Sequence, residues 1–446
     1  MLKKLLELLI ASILIIILLR YGRKAAAKYM ILVLPVSFGT EWGPINTFII
    51  FFVAISEYVI SFITNKKAGV TSYSAKTFLA LFIILNIFSF IINIDRLDFT
   101  GSVFSSPHVI ALANIVSCTL LFLFFVRSIQ TETDIASFMK LALLAYLLTS
   151  IFSIFQLTNP AALQIAEDYF SHLNVDTEDR GVRVMGTIGS FELYAEYSAI
   201  MVLVSLLFGM TETITWRKML WFAVCGYCVF LMLMTKSRGG VISLVVAMLY
   251  LTIIQSKTIG PKRTLAILLG GGVSLGVVYI ITSGSNYNVI DALISKTEIN
   301  TSQGGFDSRT EVWAYATQVI SDMKFPQTFI GRGPGLSSGT SLLEMFPHSL
   351  YMYLLISLGY AGLCLYVVWF LWLGLPKLRR QELDRKQLLL RVTLKTILVL
   401  IVVDETKIEY IRVIDSAYAQ ILWLFYALMY VAFHKRTRVA LKFPNY

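Results

Sequence analysis

The chain has 446 residues, of which 57% are hydrophobic and 15% are charged, and its formal net charge is +11. Soluble proteins carry about 25% charged residues, and a soluble fold of this size would lack the polar shell to cover so much apolar surface. The composition excludes a soluble enzyme and predicts an integral membrane protein. The basic excess does not indicate nucleic acid, because the Lys and Arg residues sort by membrane side.

Twelve apolar stretches are each long enough to cross a hydrocarbon layer of roughly 30 Å as a helix. They predict an all-α, polytopic fold with one integral membrane domain over residues 1–446. The stretches lie at 27–42, 45–63, 78–94, 109–126, 141–157, 191–210, 219–234, 240–254, 265–281, 350–373, 388–403 and 417–433. A further run at 5–19 is either a thirteenth span or an interfacial helix. It is not a cleavable signal peptide, because basic residues follow it where a cleavage site should lie.

The connections between these stretches differ in charge. One alternate set, which includes the C-terminal tail, holds 23 Lys and Arg against 5 Asp and Glu, whereas the opposite set holds 11 against 17. Lys and Arg favour the cytoplasmic side, so the first set and the C-terminus are predicted to be cytoplasmic. The two long connections, 158–190 and 283–347, are then external, on the periplasmic or outer face. Long loops are where function concentrates.

The first candidate group is the short connection 235–240, which contains Lys236 and Arg238. The connection is so tight that Arg238 must lie at the outer membrane boundary. One interpretation is an arginine that snorkels to the interface. The other is a functional arginine, because basic residues are disfavoured on this side and the following Gly239-Gly240 lets a backbone or a ligand approach closely.

The second group is the segment 307–311, which reads as a capping box with Ser308 as the N-cap and Glu311 three residues later. Apolar residues then recur at helical spacing on one face, at Trp313, Ala316, Ile320 and Met323. An amphipathic helix in the large external loop is predicted. Arg309 in its first turn suits a phosphate site, since exposed backbone N–H groups already favour an anion there. The alternative is an arginine paired with a neighbouring acid on a solvated face.

The third group is Pro347-His348-Ser349, at the outer start of a predicted span, with Tyr351 close behind. The N-terminus of a helix disfavours imidazolium, so His348 should be largely neutral near pH 7 and able to accept a proton. A base and a hydrogen-bonded helix cap are equally compatible with the sequence.

Two weaker signals accompany these groups. Arg332 lies in the turn-rich Gly-Arg-Gly-Pro-Gly at 331–335, whose amides could line an anion site or form structural turns. Arg180 and Arg183 precede a span that carries Glu192 and Glu196 near its outer end, and these acids could simply neutralise the arginines.

Metal catalysis is not supported, because the four histidines are scattered and no carboxylate cluster has ligand spacing. No cofactor is expected. Several arginines and one neutral histidine at the outer boundary suit an anionic, lipid-linked substrate, such as a phosphate or pyrophosphate, and a hydroxyl to be activated. A transporter would need charges near the midplane, where only Glu57, Arg391 and Lys395 are evident.

The order of these motifs resembles the bacterial O-antigen ligase and Wzy-type polysaccharide polymerase superfamily. The resemblance covers about residues 180–370 and is carried by the segments 183–187, 236–240, 308–313, 331–335, 347–351 and 358–362. Gly189-Ser190-Phe191-Glu192 departs from the Asn-Pro-Asn that the family often shows there.

The resemblance implies a membrane glycosyltransferase with a C-type-like fold and an external, metal-free site. Arg238 and Arg309 would hold the pyrophosphate of an undecaprenyl-linked glycan donor, and His348 would activate the acceptor hydroxyl for inverting attack. Arg180, Arg183, Lys236, Arg332 and Tyr351 are candidate substrate-binding residues. We expect a polysaccharide polymerase; a ligase that moves finished glycan onto another acceptor and a transporter are the alternatives. A flippase and a chain-length regulator are further candidate partners, beside membrane lipid.

Overall fold

The computed structural model describes residues 2–36, 39–40, 43–44, 53, 55–56, 59, 73–94, 107–159, 161–162, 164–165, 183–254, 256, 260, 307–334, 349–376, 383–406 and 417–434. The predicted spans 45–63 and 265–281 fall wholly or largely outside these residues. The helices within them are α1 (Leu2–Tyr21), α2 (Arg23–Val33), α3 (Tyr73–Ile92), α4 (Pro107–Ser128), α5 (Glu132–Thr158), α6 (Phe191–Thr211), α7 (Thr215–Met234), α8 (Arg238–Leu249), α9 (Asp307–Ser321), α10 (Gln327–Ile330), α11 (Leu350–Gly374), α12 (Arg385–Asp404) and α13 (Ala417–Phe433). A π-helical turn, Tyr250–Ile254, extends α8.

Six of the described helices, namely α3 to α7 and α11, are long and apolar enough to cross a membrane. Each coincides with a predicted span. Three shorter apolar helices match the run at 5–19 and the predicted spans at 240–254 and 417–433. The span predicted at 388–403 is the 20-residue helix α12. The described part of the chain is therefore that of an all-helical, polytopic membrane protein.

The span predicted at 27–42 is wrong. Helix α2 ends at Val33, and Gly39–Thr40 pairs with Gly43–Pro44 in a small antiparallel sheet. Pro35 lacks an N–H and disfavours helical geometry at the residue before it, so the apolar run continues after the helix has stopped.

Helix α6 forms the centre of the core, since its apolar window is completely buried. It packs against α5, α7, α8 and α12. A second apolar layer joins α4 to α13, where Phe122 lies edge-on to Trp423 and Tyr430 with ring centroids 6.1 and 5.7 Å apart. The core is thus built from aromatic and aliphatic side chains of helices that are distant in sequence.

Two ends of the bundle can be distinguished along α12. Near its start, Arg391 pairs with Glu132 of α5 at 2.6 Å, and Lys24 pairs with Asp134; we call this the ion-pair end. Asp404 closes α12 some 13 residues after Arg391, roughly 20 Å along the helix. It lies beside the connection between α7 and α8, at what we call the hairpin end.

The predicted amphipathic helix is confirmed as α9, which begins at Asp307, one residue before the predicted cap Ser308. Its buried face carries Ala316 and Val319, with Met323 just beyond the helix, and packs on Ile356 of α11. Ile320 is partly buried there as predicted, whereas Trp313 is exposed. The apolar face therefore attaches α9 to the first half of α11.

Helix α11 is broken at Gly359, whose φ of 64° lies in the left-handed region. The segment after α10 docks at this break: the Arg332 N–H donates to Ile356 O at 2.8 Å and the Gly333 N–H to Ser357 O at 3.1 Å. An added Cβ at Gly331 would lie 2.2 Å from the Ser357 carbonyl carbon. Glycine is required here because two backbones touch.

Candidate functional site

The connection between α7 and α8 is only three residues long, since α7 ends at Met234 and α8 begins at Arg238. The Thr235 hydroxyl donates to Met232 O at 2.6 Å and accepts from the Ser237 N–H at 3.1 Å, which tightens the turn. Arg238 is thus the first residue of α8, where the helix dipole disfavours a cation. An anion bound at this N-terminus would offset that cost.

The predicted close approach at Gly240 is confirmed. Helix α6 is the element that approaches it. A Cβ added at Gly240 would lie 2.8 Å from the Cβ of Ala195 in α6. The backbones of α6 and α8 therefore meet two residues after Arg238.

Arg183 is buried against this connection. Its Nε donates to Thr235 O at 3.0 Å, and its guanidinium carbon lies 3.3 Å from the ring centroid of Phe191. The Val184 N–H donates to Met234 O at 3.3 Å. Arg183 therefore supports the hairpin by donating to its backbone, and it brings a third basic side chain to the connection that holds Lys236 and Arg238.

Lys236 has a backbone φ of 53°, which residues other than glycine rarely adopt. Partial burial, with a smaller contribution from the Arg183 guanidinium, lowers the pKa of Lys236 below its ordinary value. Without a ligand, the strained backbone of Lys236 and the partial burial of its ammonium group are both unfavourable for the folded protein. A bound anion would favour the charged ammonium again.

A short chain of contacts links the start of α8 to the start of α11. The Ser243 hydroxyl of α8 donates to Asp404 Oδ1 at 2.9 Å. The carbonyl oxygen of the next residue, Glu405, accepts the Leu350 N–H of α11 at 2.9 Å. Tyr351 adds a bond from its hydroxyl to Val402 O at 3.1 Å. The Arg238 and 347–351 motifs thus lie on helices whose N-termini meet at one acidic turn.

The Glu405 side chain is fully buried and accepts two hydroxyl groups. Tyr366 of α11 donates to its Oε1 at 2.6 Å and Tyr426 of α13 at 3.1 Å. Asp404 is equally buried. The turn at 404–405 therefore joins α8, α11, α12 and α13 at the hairpin end.

Sequence reasoning missed both of these acids. It ended the predicted span at Val403 and assigned the acids that follow to a loop. Two adjacent carboxylates directly after an apolar run, with tyrosines in the neighbouring predicted spans, were the signal that could have identified them.

The sequence left open whether Glu196 neutralises the arginines, and the evident intramembrane charges were Glu57, Arg391 and Lys395. The structure adds Glu196 to them, because it is 0% exposed within α6. Neither of its carboxylate oxygens has a hydrogen-bond partner among the residues that the structure describes. A carboxylate therefore lies inside the bundle one residue from the contact with Gly240.

The 331–335 segment was predicted to be either an anion site or structural turns. Two of its amides, those of Arg332 and Gly333, are bonded to α11 carbonyls, which favours the structural role. Arg332 also donates through Nη2 to Val319 O at 3.4 Å, near the end of α9. Substrate binding by Arg332 stays a prediction.

The structure gives less detail for three of the predicted site residues. Arg309 lies in the first turn of α9, but only its place in the helix is described. Arg180 and His348 lie outside the described residues. The described chain resumes at Ser349, immediately after His348, and Ser349 is buried as the N-cap of α11.

Residues 223–367 match the sequence model of the O-antigen ligase family. The match begins within α7, includes Arg238, Arg309 and His348, and ends within α11. No curated protein matches the chain.

Proposed function

We propose, on the premise that residues 223–367 form an O-antigen ligase family domain, that the protein is a polysaccharide polymerase. Membership in this family means transfer of lipid-linked glycans in polysaccharide assembly. The finer proposal is that a growing undecaprenyl-pyrophosphate-linked glycan is the donor and a lipid-linked repeat unit the acceptor. The site would lie at the outer face of the cytoplasmic membrane, with the C-terminus inside.

The observation that carries the proposal is the meeting of α8 and α11 at the turn 404–405. The Ser243–Asp404 bond and the Leu350–Glu405 bond hold the two helix N-termini together. A cation-rich hairpin therefore lies at the same end of the bundle as the start of α11, which follows His348 directly. An anionic leaving group and a proton acceptor are needed close together for transfer from a lipid pyrophosphate.

In the proposed reaction, an acceptor hydroxyl oxygen bonds to the anomeric carbon of the donor as the bond from that carbon to the pyrophosphate oxygen breaks. The electron pair leaves with the pyrophosphate, whose charge Arg238 and Arg309 stabilise. The hydroxyl proton passes to the His348 imidazole. Lys236 and Arg183 add positive charge beside the leaving group, and no metal or nucleotide is required.

An assay of chain extension tests the proposed reaction. It contains purified protein, a lipid-pyrophosphate glycan donor, a matched acceptor and a chelator. We expect chain extension by the wild type, and loss of about 100-fold or more in rate for both His348→Ala and His348→Gln, with donor binding retained. Glutamine can cap a helix but cannot accept the proton, so near-normal extension by His348→Gln would refute the base assignment. A strict metal requirement would refute the metal-free mechanism.

A ligase is the second candidate, because the matching family is described as O-antigen ligase. The glycan profile of a deletion strain separates the two. Loss of long chains with single repeat units still transferred to their final acceptor indicates a polymerase. Intact long chains that remain on undecaprenyl pyrophosphate indicate a ligase.

A further inference from the structure

The Glu196 carboxylate is buried in the described part of the core. It is 0% exposed, and both oxygens lack a hydrogen-bond partner among the described residues. A carboxylate removed from water needs donors, a counter-ion or a proton, and buried ionisable groups within membrane helices usually mark function. The group therefore calls for a partner that the described part of the chain does not supply there.

Helical geometry gives the side of α6 on which Glu196 lies. Tyr194 and Ser198 mark the side that faces α5, because Ser153 donates to the Tyr194 hydroxyl at 2.7 Å and Tyr146 to the Ser198 hydroxyl at 2.8 Å. At 3.6 residues per turn, Glu196 is about 160° from each of them. It lies on the side of α6 that is turned away from α5.

Helix α6 meets the arginine hairpin at the residue before Glu196. Ala195, the neighbour of Glu196, touches Gly240 of α8. Helix α12 packs against both α6 and α8 and carries Asp404, which binds Ser243. Glu196 therefore follows the contact with α8 by one residue, on a helix against which α8 and α12 both pack.

The charges at this junction restrict the chemistry of a partner. Arg183, Lys236 and Arg238 already supply positive charge at the hairpin end, which disfavours another cation. A second anion would be repelled by the carboxylate itself. Neutral hydroxyl groups fit both conditions, and their hydrogen bonds to a carboxylate are charge-assisted and short.

We infer that Glu196 accepts hydrogen bonds from hydroxyl groups of the sugar that is held beside the Arg238 hairpin, so that it determines specificity for the glycan. The inference rests on the proposed function and adds the subsite that holds the sugar itself.

Steady-state kinetics test the assignment with lipid-linked repeat units isolated from a deletion strain. Glu196→Gln keeps the shape and removes the charge, so KM for the repeat unit should rise about 10- to 100-fold, with a much smaller change in kcat. Ser205→Ala is the matched control, because Ser205 is buried in the same helix and its hydroxyl donates to Met201 O and Val202 O of its own turn. An unchanged KM in Glu196→Gln would overturn the inference and leave Glu196 as a core carboxyl.

Labelling of the wild type with a hydrophobic carbodiimide, read out by mass spectrometry at Glu196, does not depend on turnover or on the variant folding. We expect labelling of the free protein, several-fold protection by the lipid-linked repeat unit, and no protection by undecaprenyl pyrophosphate without sugar. Absence of labelling, or labelling that the repeat unit does not change, would overturn the inference. Protection at Glu196 without any chain extension would refute the proposed transfer and leave the sugar contact standing.

Discussion

The two ends of the bundle hold their charges in different ways. At the ion-pair end, two carboxylates each meet a cation, in Arg391–Glu132 and Lys24–Asp134. At the hairpin end, Asp404 and Glu405 accept bonds from hydroxyl groups, and Arg183 donates to carbonyl oxygens. Hydroxyl and carbonyl groups are thus among the partners that fix the charged groups at this end. On the proposed function, the ion-pair end serves stability, whereas the hairpin end holds charge for the ligand.

The largest effect should follow from Arg238→Ala. Loss of a charge-assisted contact to a leaving group costs roughly 100-fold or more in transfer rate, and Arg238→Lys should retain part of the activity because it keeps the charge without the bidentate geometry. Arg391→Ala at the opposite end is the control: it should lower the melting temperature while the rate per folded molecule stays unchanged. If Arg238→Ala transferred glycan at the wild-type rate, the proposed role of the hairpin end in holding the ligand would be wrong.

Tyr366→Phe should destabilise the protein by about 1.5–3 kcal/mol, because it removes a donor from the buried Glu405 carboxylate. In a Glu405→Gln background the same change should cost about 1 kcal/mol or less, since a neutral amide needs the donor less. Thermal unfolding in detergent of the wild type, Tyr366→Phe, Glu405→Gln and the double variant measures the difference between the two costs. Equal costs in both backgrounds would show that the hydroxyl does not stabilise a charge.

Lys236→Gly should move stability and activity in opposite directions. Glycine adopts the left-handed backbone of Lys236 freely, so the free energy of unfolding should rise by about 1 kcal/mol. Loss of the ammonium should lower transfer at the same time. A variant that is both less stable and fully active would contradict the functional interpretation of this strained residue.

The smallest effect is expected at Lys24, whose side chain is 51% exposed. Lys24→Gln should lower the free energy of unfolding by about 1 kcal/mol or less, and the loss should shrink at high salt because the pair is screened. Transfer should be unchanged. A clear loss of transfer would mean that the ion-pair end also takes part in the reaction.

Local features were predictable from the sequence. The apolar runs that became α3 to α7 and α11, the amphipathic α9 and the tight hairpin at Arg238 each depend on neighbouring residues. The end of α2 at Val33 was missed, because apolar composition continues past Pro35 while the helix cannot. Composition alone does not show where a helix stops.

Long-range contacts were not predictable. Ser243 and Asp404 are 161 positions apart, and their bond depends on how α8 and α12 pack. The burial of Glu196 depends likewise on four surrounding helices. Sequence motifs indicated which residue types the hairpin end would need, but only the packing shows that Asp404 and Glu405 are buried there.

The break in α11 has a consequence for how the protein is made. When α11 first enters the bilayer during synthesis, the carbonyls of Ile356 and Ser357 lack the N–H donors that they later receive from Arg332 and Gly333. These donors come from the stretch of chain translated just before α11, and they reach the break only when that stretch folds back onto it. The insertion of this apolar helix is therefore coupled to the folding of the segment that precedes it, and a delay in either would expose bare backbone to lipid.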